Sequence, residues 1–336
     1  LYLVILFCII LRMAIKSEQL NISTGIEEER ISGRIMYLFP GQGAERAGMG
    51  KSLYENSTTA QGILDQLNPE LLDIMFNEPS DESTNALYDT SNAQPATVAV
   101  SLAAYFVFLE RNPLFKRRPP LAFLGHSTGQ MSAIGAAGVV DIETALHMAT
   151  KRGRLMKEVG GKEENKGGML ALGTTLEKAE SLCFDTSQAL GGEGIWVAND
   201  NSVAQIILSG RENHIAYAAA HAKDAGIKKT KRLRVPIAAH CPLMQEAQDL
   251  FAQYLDTIKF EKPTSPIILN TSAAATLDPD EIRADLISGL TCGVRFREAL
   301  QEAQRSGVTS FVEIGEGPLS RFAQKLIPDS MQFQIA

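Results

Sequence analysis

A serine flanked by small residues is the sharpest chemical feature of the sequence. Gly125-His126-Ser127-Thr128-Gly129 has the form G-x-S-x-G, between an apolar run that predicts a strand and a Gly- and Ala-rich segment that predicts a helix. A serine on such a sharp turn exposes its hydroxyl, and its neighbours must be small for the turn to form. The N–H of Thr128 and the helix N-terminus could stabilise a developing oxyanion. The spacing therefore predicts a nucleophilic Ser127.

A nucleophilic serine needs a general base, and His240 is the best placed of the five histidines. It lies in Pro236-Ile237-Ala238-Ala239-His240-Cys241-Pro242, just past the end of a predicted strand. His126 adjoins the serine, but neighbours at a turn usually point apart. His214 and His221 are seven residues apart on one predicted helix face, where we expect both to be solvated.

A basic run follows the serine motif and could recognise a charged substrate. Lys151-Arg152-Gly153-Arg154 places Arg152 25 residues beyond Ser127. Arginine binds a carboxylate through two parallel hydrogen bonds, which lysine does not reproduce. The run is compatible with a carboxylate-binding arginine, and a solvated basic helix end is the alternative for any one of these residues.

The elements that must position these residues are those of an α/β protein with an insertion. In the first part we predict strands at 35–39 and 121–125, a buried helix at 94–110 and a helix that Asp141 caps and that runs through Lys157. A polar, Gly-rich stretch at 160–168 marks a boundary. Strands at 169–172, 195–198, 205–208 and 228–235 and helices at 176–188 and 212–225 then follow in the order βαββαβ, which is typical of a ferredoxin-like unit. The large domain resumes near Pro236, with a helix at 243–255, strands at 266–270 and 309–314, and a helix after Pro318.

Composition limits the classes of function. The chain has 336 residues, 45% of them hydrophobic, and a net charge of −7, which indicates a folded protein and excludes a general nucleic-acid binder. The four cysteines are scattered without a C-x-x-C pair, which favours a reducing compartment. No H-E-x-x-H pattern occurs, so we expect no zinc site.

The first residues are apolar and then polar. Leu1–Leu11 is shorter than the ~20 residues of a membrane helix and lacks the flanks of a signal peptide. We expect residues 1–33 to be a disordered lead-in or an artefact of an upstream start, with translation beginning at Met13 as one option. A real anchor or targeting segment is the alternative.

Six motifs in order, from about Arg34 to Ile327, together resemble one family. They are FPGQG (39–43), GHSTGQ (125–130), KRGRLM (151–156), VANDNSVAQIILSG (197–210), VPIAAHCPLM (235–244) and EIGEGPL (313–319). The chain thus resembles the malonyl-CoA:acyl-carrier-protein transacylase family, the acyltransferase domain of fatty-acid and polyketide synthesis. Six collinear motifs are far more specific than any one of them.

The resemblance implies a role for each matching residue. Ser127 would carry the acyl group as an ester, and His240 would act as base and then as acid and base for the two thiols. The backbone N–H groups of Gln42 and Thr128 would form the oxyanion hole. Arg152 would pair with the free carboxylate of the malonyl group.

The resemblance also implies the reaction and its setting. A malonyl group would pass from malonyl-CoA to the phosphopantetheine thiol of an acyl carrier protein by a ping-pong mechanism, for fatty-acid synthesis and without a metal or redox cofactor. The fold would be an α/β-hydrolase-like core (34–160 and 236–330) with a ferredoxin-like small subdomain (161–235). We expect a monomeric cytoplasmic enzyme without nucleic-acid or membrane partners, and organellar import stays open. An acidic carrier protein could dock on a group of basic residues, with a solvated strand edge as the alternative reading: Lys228, Lys229, Lys231, Arg232 and Arg234.

The chain departs from the family pattern at three places. Gln130 stands where the family usually has Glu, and Gly289-Leu290-Thr291-Cys292-Gly293-Val294 stands where Gln-Leu-x-x-Pro-Val is common. The hairpin has Ser-Val-Ala-Gln in place of Ser-Pro-Gly-Gln. In relatives a backbone carbonyl at that family Gln orients the base, and Gly289 retains a carbonyl. The departures bear on rate and acyl selectivity more than on reaction class.

Two other functions stay open at this point. An α/β-type thioesterase or esterase would need an acidic residue between Ser127 and His240 in chain order. Asp185, Asp200 and Asp224 lie there, but all three fall in the predicted insertion. The departures also suggest a catalytically weakened partner of a polyketide-type synthase, although the serine and the histidine are both present.

Overall fold

The computed structural model describes residues 31, 33–77 and 86–335, so the lead-in predicted for residues 1–33 lies almost wholly outside the described residues. The helices are α1 Lys51–Asn56, α2 Thr58–Leu64, α3 Pro69–Phe76, α4 Thr90–Arg111, α5 Pro113–Lys116, α6 Gly129–Ala136, α7 Ile142–Gly160, α8 Leu176–Leu190, α9 Glu212–His221, α10 Gln245–Leu255, α11 Pro279–Ser288, α12 Phe296–Arg305 and α13 Leu319–Leu326. The strands are β1 Ile35–Phe39, β2 Ala122–Gly125, β3 Gly167–Leu172, β4 Ile195–Ser202, β5 Gln205–Arg211, β6 Thr230–Arg232, β7 Ile267–Ile268, β8 Ala275–Thr276, β9 Ser310–Ile314 and β10 Met331–Ile335.

A parallel sheet forms the centre of the larger part of the chain. Its strand order is β10-β9-β1-β2-β7-β8, and every pair is parallel except β7 with β8. The predicted mixed α/β class with a parallel sheet is confirmed. The carboxyl ends of β1 and β2 meet where Phe39 pairs with Gly125, which is the edge at which parallel sheets carry their sites.

Apolar side chains cover both faces of this sheet. All five residues of β1 are buried, as expected for a parallel strand covered by helices on both sides. Tyr37 and Phe39 join the larger core cluster, whereas Met36 and Leu38 point the other way into the smaller one. Of the described helices, α4 is the one long and apolar enough to cross a membrane, but most of it is buried in the protein.

A second, antiparallel sheet lies between α7 and α10 along the chain. Its strand order is β4-β5-β3-β6, and α8 and α9 pack their apolar sides against it in a core of its own. Three contacts join β4 to the segment before α12 and to α12 itself, the first from the Val294 N–H to the Ala198 carbonyl at 2.8 Å. Asp200 N–H donates to the Val294 carbonyl at 2.9 Å, and the Asp200 carboxylate accepts from Arg297 at 2.6 to 3.0 Å.

Several element limits differ from the sequence prediction. The strand predicted at 228–235 shortens to Thr230–Arg232, whose three residues are all exposed at the sheet edge. The helix predicted at 212–225 ends at His221. Strand β10 extends the large sheet to Ile335, beyond the expected limit at residue 330, because it pairs with β9 along its whole length. The short helices α1 to α3 were not predicted at all, since none has a long apolar period.

Candidate active site

Ser127 lies on a sharp turn between β2 and α6. Its backbone φ is 52°, a left-handed conformation that is uncommon for a residue with a side chain. The turn is held because Ser127 N–H donates to Asn270 Oδ1 at 2.7 Å, and Asn270 Nδ2 donates to the Gly125 carbonyl at 2.8 Å. The strand-turn-helix setting predicted for G-x-S-x-G is therefore present, and the serine side chain faces the cavity described below.

The glycines of the motif are required by close backbone approach. A Cβ on Gly129 would lie 2.1 Å from the Phe39 carbonyl oxygen, and a Cβ on Gly125 would lie 2.1 Å from the backbone of Gly129. Neither position can carry a side chain without displacing β1 or the first turn of α6. The small residues thus let the serine turn lie directly against the end of β1.

His240 is in direct contact with Ser127. Its Nε2 lies 2.8 Å from Ser127 Oγ, and its Nδ1 lies 2.6 Å from the Gly289 carbonyl oxygen. A carbonyl can only accept, so Nδ1 carries the proton and, in the neutral ring, Nε2 accepts from the serine hydroxyl. His240 has a φ of 60°, so the nucleophile and base candidates both occupy strained backbone.

The surroundings keep His240 uncharged. The ring is buried, with 5% of its surface exposed. Burial, and then the positive charge of Arg152, lower the pKa of His240 to about 3. The imidazole is therefore neutral at physiological pH and free to accept a proton.

Arg152 is a buried cation, 4% exposed, on the inner face of α7. It donates to Gln94 Oε1 at 2.8 Å, to Thr128 Oγ1 at 3.2 Å and to Ser127 Oγ at 3.4 Å. All three acceptors are neutral, and no carboxylate of the described residues pairs with it. Burial lowers the pKa of Arg152 to about 10. A fixed guanidinium beside the serine, lacking an anionic partner, is suited to a substrate carboxylate.

Two backbone N–H groups are available beside the serine. Within the described part of the chain, the N–H groups of Gln42 and Thr128 donate no hydrogen bond, and both residues line the cavity. The loop that carries Gln42 is fixed by a buried carboxylate, because Gly43 N–H donates to Glu45 Oε2 at 2.5 Å. The Gln42 side chain donates to Thr90 Oγ1 at 3.2 Å.

The five predicted site residues line one cavity of about 620 Å³ between the two sheets. Lys231 and Arg234 of the basic segment also line it, and the Arg234 guanidinium lies 5.3 Å from the ring centre of Tyr88. Arg232 instead forms an ion pair with Glu212. The structure thus brings the predicted serine, histidine, arginine and both N–H groups together around one cavity, and their catalytic and binding roles stay predictions.

Sequence reasoning missed three polar residues of the site. Gln94 holds Arg152, Asn270 holds the serine turn, and Asn201 Oδ1 lies 2.7 Å from His126 Nε2. A lone Gln in an apolar helix and an Asn at the carboxyl end of a predicted strand are the signals that could have found the first two. The expectation that His214 is solvated was wrong: it is 5% exposed, with Nε2 3.2 Å from the Gly192 carbonyl.

The acidic residues considered for a hydrolase triad do not contact His240. Asp200 pairs with Arg297, and neither Asp185 nor Asp224 bonds the imidazole. The position that a triad carboxylate would take is held by the Gly289 carbonyl. Among the described residues, no group of three or more His, Cys, Asp or Glu could hold a metal ion.

Comparison with known proteins gives concordant matches. The acyl transferase domain family matches residues 36–325. The chain is 32% identical over 300 residues to a malonyl CoA-acyl carrier protein transacylase of Haemophilus influenzae, covering 88% of this chain and 92% of that one. It is similar to the crystal structure of an acyl-carrier-protein-S-malonyltransferase from Bartonella henselae, with a TM-score of 0.82, 32% identity and coverage of 90% and 95%. It is also similar to a malonyl-transacylase solved in complex with a type II polyketide acyl-carrier protein, with a TM-score of 0.81, 28% identity and coverage of 90% and 96%.

Proposed function

The chain belongs to the acyl transferase domain family, and on that premise we propose that it transfers a malonyl group from malonyl-CoA to the phosphopantetheine thiol of an acyl carrier protein. One observation carries the proposal. Ser127 Oγ lies 2.8 Å from a neutral histidine and 3.4 Å from a buried arginine that has no carboxylate partner among the described residues. A nucleophile beside a buried arginine that bonds only to neutral acceptors suits an acyl group that ends in a carboxylate.

In the first half-reaction Ser127 Oγ attacks the thioester carbonyl and its proton passes to His240 Nε2. The N–H groups of Gln42 and Thr128 hold the resulting oxyanion, and Arg152 holds the distal carboxylate. The carbon–sulfur bond then breaks, and His240 returns the proton to the departing sulfur of CoA. The malonyl group remains on Ser127 as an ester.

In the second half-reaction the carrier thiol takes the place of CoA. Its proton passes to His240 while its sulfur attacks the ester carbonyl, and the ester oxygen regains the proton as it leaves. The Gly289 carbonyl accepts from Nδ1 throughout and so supports the imidazolium that forms transiently. Water is the competing nucleophile, and a transferase of this kind must hydrolyse its ester slowly.

Intact-protein mass spectrometry after brief exposure to malonyl-CoA tests the proposal. We expect a malonyl adduct on the wild type and none on Ser127→Ala, and we expect holo carrier protein to discharge the adduct much faster than water does. Rapid CoA release without transfer would instead identify a hydrolase. A folded wild type that takes no malonyl group would overturn the proposal and favour a weakened partner of a larger synthase.

We also propose that residues 161–235 are a ferredoxin-like subdomain inserted in a hydrolase-like core formed by 34–160 and 236–335, which includes β10. The order β4-β5-β3-β6 with two helices on one face supports this division, as does the separate apolar core of the small sheet. The basic edge strand β6, beside the cavity mouth, is the surface we propose for an acidic carrier protein. A cytoplasmic, monomeric enzyme stays a prediction.

A further inference from the structure

Asp285 is a buried carboxylate beneath the site, and it takes no part in the mechanism above. It lies on α11 with 4% of its surface exposed. Oδ1 accepts from the Thr271 N–H at 2.8 Å and from the Thr271 hydroxyl at 2.7 Å. Oδ2 accepts from the Asn270 N–H at 2.9 Å and from Gln130 Nε2 at 3.4 Å. No cationic side chain of the described residues pairs with it, so neutral donors alone compensate a costly burial.

One set of these contacts leads to the nucleophile. Asn270, whose backbone N–H is bound by Asp285, uses both ends of its side-chain amide on the serine turn, at Ser127 N–H and at the Gly125 carbonyl. Gln130 Oε1 accepts from the Gly125 N–H at 3.0 Å. Asp285 therefore contacts both residues that fix the serine turn from below. It binds the Asn270 N–H directly at 2.9 Å. At 3.4 Å it supplements the bond that Gln130 Nε2 donates to the Ile268 carbonyl at 3.0 Å.

The other set leads to the base. Asp285 lies in the last turn of α11, where its own carbonyl accepts from the Gly289 N–H at 2.8 Å. The Gly289 carbonyl in turn accepts from His240 Nδ1 at 2.6 Å. The segment that orients the imidazole is thus the end of the helix that Asp285 fastens to residues 270 and 271.

We propose that Asp285 is a positioning residue for acyl transfer, because its carboxylate fastens the loop beneath Ser127 to the helix end that orients His240. The inference deepens the proposed function and rests on it for the substrate. Asp285 itself is absent from the cavity lining, so it acts through Asn270, Gln130 and the end of α11.

The variant Asp285→Asn keeps the shape and changes the donor pattern. Each carboxylate oxygen accepts from two donors, so the new NH₂ group must face donors on whichever side it takes. A displacement of the serine or the imidazole by a fraction of an ångström to 1 Å lowers the acylation rate by about 10- to 100-fold. We expect that fall in kcat with an unchanged KM for malonyl-CoA. Asp280→Asn, on an exposed position of the same helix, is the matched control and should leave both constants unchanged.

A second variant guards against a folding defect. Thr271→Val removes one hydroxyl donor to Asp285 and leaves the backbone bonds in place. We expect a smaller fall in kcat, about 3- to 10-fold, in the direction of Asp285→Asn. In the Asp285→Asn background, Thr271→Val should have little further effect, because the two changes break the same contact.

Two measurements on each variant separate the outcomes. They are the rate at which a fluorophosphonate labels Ser127 and the thermal midpoint of unfolding. We expect slower labelling in Asp285→Asn and Thr271→Val than in the wild type and in Asp280→Asn. Lower thermal midpoints with unchanged labelling and kcat would mean that Asp285 serves stability alone and would overturn the inference, as would a raised KM with unchanged kcat. A wild type that is labelled but accepts no malonyl group would refute the proposed function, while the labelling rates would still decide the role of Asp285.

Discussion

Replacing Arg152 by Met should separate stability from malonyl transfer. The guanidinium is 4% exposed and bonds only to neutral oxygens. No anionic side chain of the described residues therefore offsets the free-energy cost of burying its charge. At about 1.36 kcal/mol for each pH unit, a pKa lowered from 12.5 to about 10 corresponds to about 3 kcal/mol. Losing the hydrogen bonds to Gln94, Thr128 and Ser127 costs about 1 kcal/mol each, so the two effects of the substitution nearly cancel. We expect Arg152→Met to unfold at nearly the same urea concentration as the wild type.

The same change should remove most of the activity with malonyl-CoA. Truncating one partner of a buried, hydrogen-bonded charge pair costs about 2–5 kcal/mol, which corresponds to about 30- to 5,000-fold in kcat/KM. Acetyl-CoA has no free carboxylate, so its residual rate of Ser127 acylation should change far less. The assay is adduct formation with each donor, followed by mass spectrometry. Arg154→Met, the same substitution at an exposed position on α7, is the control and should change neither stability nor donor preference.

Two results would refute this reasoning. An equal loss of acylation with both donors would show that Arg152 does not act on the malonyl carboxylate. The second is a marked fall in the free energy of unfolding in Arg152→Met but not in Arg154→Met. It would show that the buried guanidinium stabilises the substrate-free protein.

Three further predictions concern protonation, packing and thiol reactivity. Because burial and Arg152 hold the pKa of His240 near 3, kcat/KM should stay constant as the pH falls from 8 to 5.5. A histidine of pKa 6.5 would be about 90% protonated at pH 5.5. A fall in kcat/KM with a midpoint near pH 6.5 would contradict a neutral His240 as the base. Gly129→Ala should cost about 1–3 kcal/mol or more in urea unfolding because its Cβ meets the Phe39 carbonyl, whereas Gly62→Ala, with open space in α2, should be neutral or stabilising by up to about 1 kcal/mol. Iodoacetamide should modify exposed Cys292 well before Cys183, since burial raises the pKa of that thiol to about 12, and the reverse order by peptide mapping would be the contradictory result.

Local pattern was sufficient for the elements that carry the chemistry. Three predictions rest on one strong local cause each, and the structure has them where the sequence predicted: the apolar run of β1, the capping Asp141 and the small residues around Ser127. The chemical types of Arg152 and His240 likewise limited their roles before any distance was known.

The remaining features depend on contacts between distant parts of the chain. Strand β10, MQFQI, alternates apolar and polar residues over only five positions, a strand signal that does not say which edge it joins; the structure pairs it with β9 along its whole length. His214 lies in a helix of weak periodicity and is buried by the loop at Gly192, which no helical pattern reports. No helix was predicted at 279–288, and the burial of Asp285 follows only from the contact between α11 and residues 270 and 271.

The hydrogen-bond acceptor that orients His240 is a main-chain carbonyl, so no amino-acid substitution can remove it. An alanine scan of the cavity would register the serine, the histidine and the arginine, yet no codon change deletes the carbonyl of residue 289. The natural sequence can therefore change the side chain there and keep the oxygen, as Gly289 illustrates. An amide-to-ester exchange between residues 289 and 290 would weaken that carbonyl as an acceptor while leaving every side chain in place, and it would also remove the Leu290 N–H that donates to the Ile287 carbonyl at 3.2 Å.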